Sequence, residues 1–444
     1  MFKMLRRLAL LASLGSASAF LPFQNPPWGP SNYDMASSSI SMFCNSSGWV
    51  PTNVASAFGI PSTDWSNDKA DWAKSNPMDS EERLLAQSVL IRTASNMSRP
   101  FAYRNLVKAL PWFSTQRRKL EDPAYFSWFL PFSGKGDYHV PDCDTTFTPP
   151  LCSKLYHDQL QSPAVPSPSN PNPDGACKEH CYCGGVPCGE YLFDWRAANT
   201  SINGQTLLEW VLEEVIGGPT GVDCPDIFGL FIDDFWCSNI INGTGNCNDP
   251  VQGPTEIDPH SQADMGLSDQ DIADITAGWL QAMTAAQQRI LDAKAYTWSL
   301  IPGQDNANAM PVIVDQGSCA ARLEEACGPN NRWQTAPLMH GIGMGNGNGT
   351  LPTLDADIAS FLLMRGPWAF TGAGVWGMSW PTGQTWNANN TPTPRPPQMA
   401  ADYGEPLDPL CSKVSAGVFT RRYSKTTITL DCSTYTATFV PPVF

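Results

Sequence analysis

Two adjacent carboxylates follow the most apolar short run of the sequence. Residues 228–232 are Phe, Gly, Leu, Phe and Ile. Asp233 and Asp234 follow directly, and Trp236 comes two residues after Asp234. A run without a polar face is typical of a strand that is covered on both sides of a parallel sheet. Ligand sites of such folds lie at the carboxyl ends of the strands. We therefore predict that the tandem aspartates belong to an active site. The alternative is that one of them caps the next segment and the other is solvated.

Polar and aromatic side chains follow several other apolar runs in the same position. Asp194 ends the predicted strand before the tandem aspartates, so we predict that the catalytic carboxyl pair is Asp194 with one of Asp233 and Asp234. Only one of the two should face the barrel axis, because successive side chains of a strand point to opposite faces. The side chains that we expect to bind the substrate are Asp64, Trp65, Tyr103, Arg104, Asn105, Trp195, Arg196, Trp236 and His340.

These residue types fit the hydrolysis of a glycosidic bond in a polysaccharide or oligosaccharide. Acid–base hydrolysis of an acetal needs one protonated and one ionised carboxyl group, about 5–5.5 Å apart for retention or about 6.5–9.5 Å apart for inversion. Arg196 or Arg104 beside one acid would keep that acid ionised. Flat tryptophan rings suit the apolar faces of sugars. The prediction requires no cofactor and no metal.

Two other functions remain open for the same residues. A glycan-binding or wall-associated protein could retain the barrel without catalysis. A metal-dependent hydrolase could use Asp194, Asp233 and Asp234 as oxygen ligands for Mg²⁺ or Ca²⁺. Nucleophile-elbow, zinc-protease, P-loop and dinucleotide-binding motifs do not follow any suitable predicted strand, and the chain has only 5 His.

Alternating strands and helices must position these side chains. Convincing helices begin at Asp79 and at Ser268, and a third covers residues 354–364. Eight strand–helix units predict an α/β fold, a closed (β/α)8 TIM barrel over residues 20–380. The eight candidate strands are residues 40–44, 58–64, 100–105, 190–194, 227–233, 295–300, 336–340 and 368–371.

Two segments interrupt this alternation. Residues 133–189 are rich in Pro, Gly and Cys, and we predict an insertion pinned by disulfides after the third strand, although its Cys residues and His180 could also bind zinc. Residues 381–416 are predicted to be a linker or loop. Residues 417–444 contain three β-rich runs separated by turn signals, which predict a small C-terminal antiparallel β domain.

Composition indicates an exported protein. Residues 1–19 have the basic, apolar and A-x-A segments of a secretory signal peptide. The 14 Cys are suited to disulfides, and six N-glycosylation sequons indicate a secreted glycoprotein. A net charge of −15 is unsuited to binding nucleic acid or anionic membranes, and no apolar run is long enough to span a bilayer. The oligomeric state stays open.

Five motifs, distributed from the second predicted strand to the terminal β unit, resemble those of a known group of proteins. They are T-D-W-S-N at 63–67, Y-R-N-L-V-K-A-L-P-W at 103–112, E-Y-L-F-D-W-R at 190–196, F-I-D-D at 231–234 and D-Y-G-E-P at 402–406. They are similar to motifs of exported glycoside-hydrolase-like β/α barrels of algae, plants and oomycete-like protists. The resemblance implies a carbohydrate-active barrel and does not assign the catalytic pair.

Overall fold

A computed structural model of the protein describes residues 25–28, 33–45, 48–131, 155–158, 183–186, 189–234, 265–299, 312–343, 351–373 and 395–444. The predicted signal peptide, most of the Cys-rich insertion and part of the predicted linker lie outside these residues, as does Trp236. In the described part no helix is both long enough and apolar enough to cross a membrane.

The strands fall into one large sheet and several small ones. In chain order they are β1 (Ser39–Phe43), β2 (Ile60–Thr63), β3 (Phe101–Asn105), β4 (Lys108–Ala109), β5 (His157–Asp158), β6 (Glu190–Leu192), β7 (Ser201–Ile202), β8 (Gln205–Thr206), β9 (Gly229–Asp233), β10 (Tyr296–Ser299), β11 (Val312–Ile313), β12 (Leu338–Ile342), β13 (Ala369–Ala373), β14 (Ser412–Ser415), β15 (Val418–Arg422), β16 (Thr427–Asp431) and β17 (Thr436–Val440).

Helices lie between the strands of the large sheet. The α-helices are α1 (Met35–Ser38), α2 (Thr52–Ala55), α3 (Lys69–Trp72), α4 (Ser80–Ala94), α5 (Ser114–Leu120), α6 (Leu207–Trp210), α7 (Asp269–Asp292), α8 (Cys319–Ala326) and α9 (Leu354–Met364). A π-helical segment, Val211–Gly217, continues α6, and 3₁₀ turns cover Pro123–Trp128, Trp195–Ala197, Arg332–Gln334 and Pro397–Met399. A reciprocal capping box between Ser268 and Asp271 starts α7.

The large sheet has eight parallel strands in the order β10-β9-β3-β2-β1-β13-β12-β11. This order is that of a (β/α)8 barrel opened between β10 and β11, and the sheet is curled as a half-barrel. The described residues contain no pairing between β10 and β11, so closure of the predicted barrel is not shown. Seven of the eight predicted strands are present in this sheet with small shifts at their ends.

One predicted barrel strand is wrong. Residues 190–194 were expected to be the fourth strand, but β6 pairs antiparallel with β4 and β5 in a separate three-stranded sheet. Its apolar residues are buried against the aromatic cluster around Phe193, which gives it the sequence appearance of a barrel strand. The eighth strand of the large sheet is instead β11, a two-residue strand beside β12 that the sequence did not predict.

The start of β9 requires glycine. A Cβ at Gly229 would lie 2.3 Å from the Phe101 ring and 2.4 Å from the Tyr296 carbonyl oxygen, because β9 runs between β3 and β10. The ring of Trp28 packs edge-on against Phe101 and Tyr296, so the segment before β1 covers the amino ends of these strands.

A four-stranded antiparallel sheet, β14-β15-β16-β17, forms the C-terminus. The predicted β unit is therefore confirmed, with one more strand than expected. Its apolar face packs in one cluster with α9, through Phe419, Ile428 and Leu430. Disulfides Cys319–Cys432 and Cys327–Cys411 join it to α8 and to the residue that follows α8.

Candidate active site

The tandem aspartates lie where β9 ends beside β3. In this pair Tyr103 is opposite Phe231, and Asn105 is opposite Asp233. The rings of Tyr103 and Phe231 are 6.2 Å apart and therefore share one face, which we call the inner face. Because side chains alternate along a strand, Asn105 and Asp233 also lie on the inner face. The sequence left open which aspartate faces inward, and the register assigns this position to Asp233.

Asp234 reaches the same place by a turn of the backbone. Its φ of +60° is left-handed, so the extended strand has already ended there. One carboxylate oxygen, Oδ2, accepts a hydrogen bond of 2.6 Å from Asn105 Nδ2 and lies 3.4 Å from Lys108 Nζ. Both aspartates therefore belong to one cluster, although strand alternation alone would have separated them.

Asp64 joins this cluster from the end of β2. Ser62 is opposite Phe101 in the β2–β3 pair, so Asp64, two residues later, lies on the inner face beside Tyr103. Its Oδ1 accepts hydrogen bonds from the Ser66 amide at 2.9 Å and from the Ser66 hydroxyl at 2.5 Å. The strand ends thus bring together Asp64, Tyr103, Asn105, Asp233 and Asp234, which we call the mouth cluster.

Burial and mutual repulsion change the protonation of this cluster. Burial, followed by the charges of Asp234 and Asp64, raises the pKa of Asp233 well above its usual value. Burial also raises the pKa of Asp64, against the hydrogen bonds from Ser66. Burial and the three aspartates raise the pKa of the Tyr103 phenol, so this hydroxyl remains protonated. Asp233 therefore keeps a proton at pH values at which an exposed aspartic acid has lost it.

Glu190, which the sequence did not single out, is part of the same region. Its Oε2 lies 2.7 Å from Lys108 Nζ, and both side chains are almost fully buried. Strand β6, which begins at Glu190, pairs with β4, which begins at Lys108, and this pairing brings the two charges together. The sequence contained a signal for this pair. Lys108 follows the buried strand β3 by only three residues, and a buried lysine needs an acidic partner.

Asp194 has a different environment from the tandem aspartates. It precedes the 3₁₀ turn Trp195–Ala197 and accepts hydrogen bonds from Arg196 Nε at 2.8 Å, Arg196 NH2 at 2.7 Å and the Arg196 amide at 3.1 Å. Arg196 also pairs with Asp271 of α7. Asp194, which was predicted to form the catalytic pair with one of the tandem aspartates, is therefore bound to Arg196, which was predicted to bind the substrate. Both residues lie in a segment that is outside the large sheet.

Arg104 points away from the mouth cluster. It lies between Tyr103 and Asn105 on β3, so its side chain leaves through the opposite, outer face. The guanidinium is completely buried and donates to the carbonyl oxygens of Val215 and Thr220, and it lies 3.4 Å from Glu81 of α4. Its partners are those of a residue that joins the sheet to the surrounding helices.

His340 is also an outer-face residue. It lies in the middle of β12, with Nδ1 3.1 Å from Thr371 Oγ1 and Nε2 2.9 Å from Ser360 Oγ of α9. Burial lowers its pKa to about 3. The imidazole is therefore neutral at ordinary pH and is enclosed between the sheet and α9, not exposed at the mouth.

The predicted tryptophans have packing partners. Trp195 is buried, and its Nε1 donates to the Leu106 carbonyl oxygen at 2.6 Å. Trp65 is only half-buried and lies against Trp72 and Trp112, with ring centroids 6.2 and 5.0 Å away. Trp65 directly follows Asp64, so it is the described tryptophan that is best placed to border the mouth cluster.

The described part of the chain contains no cluster of side chains suited to a metal ion. No group of three or more His, Cys, Asp or Glu side chains there has an arrangement that could hold a metal ion.

Comparison with known proteins adds no assignment. No model of a protein family matches the chain, and no curated protein matches it. Any function must therefore be argued from the mouth cluster itself.

Proposed function

We propose that the protein hydrolyses O-glycosidic bonds with the carboxyl groups of the mouth cluster. The observation that carries the proposal is the contrast between two neighbouring aspartates. Asp233 is half-buried and its pKa is raised well above the usual value by desolvation and by the charges of Asp234 and Asp64, whereas Asp234 contacts the ammonium of Lys108 and the amide of Asn105. A carboxyl group with a raised pKa is what protonation of a leaving glycosidic oxygen requires.

In this proposal Asp233 is the general acid and Asp64 is the second carboxyl group. They come from β9 and β2, which are separated only by β3. Neighbouring strands are about 4.8 Å apart, so the two backbones are about 10 Å apart, and inward side chains shorten this distance. Glycosidase carboxyl pairs span about 5–9.5 Å. Asp64 replaces Asp194 as the preferred partner, because Asp194 is bound by Arg196.

The wider architecture supports the same proposal. Sites at the carboxyl ends of strands are general in β/α barrels. We propose that the half-barrel sheet closes between β10 and β11 to complete a TIM barrel, and that the mouth cluster lies at its top. We further propose an exported glycoprotein, in keeping with the disulfides that fix the C-terminal sheet.

The test is the release of reducing sugar ends from a panel of plant, algal and fungal polysaccharides. Asp233→Asn should lower kcat by about 10²–10⁴-fold, the usual contribution of a general acid, and Asp64→Asn should also cause a large loss. Asp194→Asn is the matched control, since it makes the same substitution at the acid bound by Arg196, and it should retain activity within about tenfold of the wild type.

Three outcomes would overturn the proposal. Binding of a glycan by the wild type without release of sugar supports the glycan-binding function. Loss of turnover in the presence of a chelator supports the metal-dependent hydrolase. Equal turnover by Asp233→Asn and the wild type removes the general acid from the mechanism.

A further inference from the structure

Lys108 lies between two carboxylates of different origin. Its ammonium is 2.7 Å from Glu190 Oε2 and 3.4 Å from Asp234 Oδ2. Glu190 is 3% exposed and Lys108 6%, so water screens this arrangement poorly. The closer carboxylate, Glu190, therefore limits how much of the lysine charge acts on the tandem aspartates.

Asn105 fixes a second contact to Asp234. Its Oδ1 accepts hydrogen bonds of 2.8 Å from the amides of Val107 and Lys108, so the NH₂ group must point the other way. That group donates to Asp234 Oδ2 and to the Tyr103 hydroxyl. Asp234 thus receives an amide donor and a nearby ammonium, the partners that favour an ionised carboxylate.

The charges nearest to Asp233 are mainly negative, unlike those at Asp234. In the described part of the chain no Lys, Arg or His side chain forms an ion pair with its carboxyl group, and the nearest ammonium, that of Lys108, pairs with Glu190 and Asp234. The charged and titratable groups that face it are Asp64 from β2, Tyr103 from β3, Asp234 from its own strand end, and the Lys108–Glu190 pair from β4 and β6. Asp64 and Asp234 favour its protonated form, and Lys108 opposes it.

We propose that Lys108 and Glu190 are positioning residues that assign the shared proton of the tandem aspartates to Asp233 and leave Asp234 as the anion. Lys108 stabilises the Asp234 carboxylate. Glu190 holds the ammonium at a distance from Asp233 and balances its charge, so that Asp233 is not ionised as well. This placement of the proton supplies the proposed general acid. Only its catalytic role rests on the proposed function.

The two residues have opposite expected effects. In Lys108→Met the cluster loses a positive charge, so the apparent pKa at which the tandem aspartates lose their shared proton should rise by about one unit, the effect of one nearby charge. In Glu190→Gln the lysine charge is no longer balanced by the Glu190 carboxylate, so the same apparent pKa should fall. The two shifts differ in direction because Lys108→Met removes the ammonium, whereas Glu190→Gln keeps the ammonium and removes the carboxylate that balances its charge.

The measurement is a pH titration of ¹³C-labelled aspartate carboxyl groups by NMR, with Asp233→Asn and Asp234→Asn to assign the signals. In the wild type Asp233 should have the chemical shift of an acid and Asp234 that of an anion. In Lys108→Met the two shifts should become more alike. Shifts of the apparent pKa in the same direction in both variants, or titrations identical to the wild type, would overturn the inference.

The double variant Lys108→Met/Glu190→Gln guards against a folding defect in the single variants. It removes both charges of the buried ion pair together, so no unpaired charge is left buried, and such neutral replacements are often tolerated. Its apparent pKa should lie above that of Glu190→Gln, because only the single variant keeps the ammonium. The reverse order would contradict the inference even if Lys108→Met did not fold.

The proton assignment and the proposed hydrolysis can fail separately. The NMR titration needs no substrate, so it tests the assignment in a protein that hydrolyses nothing on the panel. If hydrolysis is found, the basic limb of the pH profile of kcat/KM should move in the same directions, since that limb reports the acid of the free enzyme. If the ion pair were purely structural, its removal would lower stability without moving this limb.

Discussion

The inner and outer faces of the same strands hold polar residues with opposite roles. On the inner face at the strand ends, Asn105 donates to the Asp234 carboxylate and to the Tyr103 hydroxyl, and burial together with the charges of Asp233, Asp234 and Asp64 raises the pKa of Tyr103. On the outer face, Arg104 donates to the carbonyl oxygens of Val215 and Thr220, and His340 lies between Ser360 of α9 and Thr371 of the neighbouring strand β13. Residues that look equally suited to catalysis in the sequence therefore separate into those at the mouth cluster and those enclosed on the outer face of the sheet.

The difference shows that position in the strand repeat matters as much as residue type. Tyr103, Arg104 and Asn105 are consecutive, yet only the first and third reach the mouth cluster. The outer-face residues are enclosed by packing, so their charges are neutralised by fixed partners or removed by deprotonation. At the inner face, burial and then the charges of Asp234 and Asp64 raise the pKa of Asp233.

The largest stability effect is expected at Arg104. Arg104→Met removes the buried guanidinium and leaves Glu81 without this cation, which should lower the free energy of unfolding by about 3–5 kcal/mol. The titration of Asp233 should not change. Tyr103→Phe is the matched control on the inner face of the same strand. Tyr103→Phe should lower stability by about 1 kcal/mol at most. Of these two variants, only Tyr103→Phe should alter the titration of Asp233. Urea unfolding with the carboxyl titration checks both, and a changed Asp233 titration in Arg104→Met would contradict the separation of faces.

An intermediate effect is expected at His340, and it depends on pH. The unfolded state binds a proton on this histidine below about pH 6.5, whereas the folded state binds it only near pH 3. Between these values the unfolded state holds more protons, so stability falls as the pH falls, by about 3 kcal/mol between pH 6.5 and pH 4. His340→Gln lacks this group, so its free energy of unfolding should fall less over the same range. Parallel pH profiles of the two proteins would show that His340 is not buried as described.

A smaller effect is expected from Asn105→Asp, which is isosteric. The oxygen that binds the amides of Val107 and Lys108 is kept, and only the donor to Asp234 is replaced by a carboxylate. The added repulsion should raise the apparent pKa of the tandem aspartates and lower stability at pH 7 by about 1–3 kcal/mol. At acid pH the loss should shrink, because protonation removes the repulsion. A loss of equal size at pH 4 and pH 7 would contradict the proximity of Asn105 to the carboxylates.

Apolar runs were enough to locate most of the large sheet. Strands β1, β3, β9 and β13 carry the runs that the sequence identified, because both faces of these strands are covered. The same criterion failed at residues 190–194, since a buried strand of a small antiparallel sheet has an equally apolar sequence. It also missed β11, because two residues are too short for a periodic signal.

The site was predicted in part for related reasons. Asp64, Tyr103, Asn105, Asp233 and Asp234 were identified from their place at strand ends. The left-handed backbone at Asp234, which brings both aspartates into the cluster, has no clear signal in the sequence. Arg104 and His340 were assigned to the mouth because the inner or outer direction of a side chain depends on register, which only pairing with neighbouring strands determines.

The most direct test of the mouth cluster is the protonation of Asp233 in the wild-type protein, followed by the ¹³C signal of its carboxyl group as the pH rises. An exposed aspartic acid loses its proton with a pKa of about 3.9. The account predicts that Asp233 stays protonated well above that pH, because burial, Asp234 and Asp64 all oppose its ionisation. Titration of Asp233 at the ordinary value would contradict it and would remove the proposed general acid.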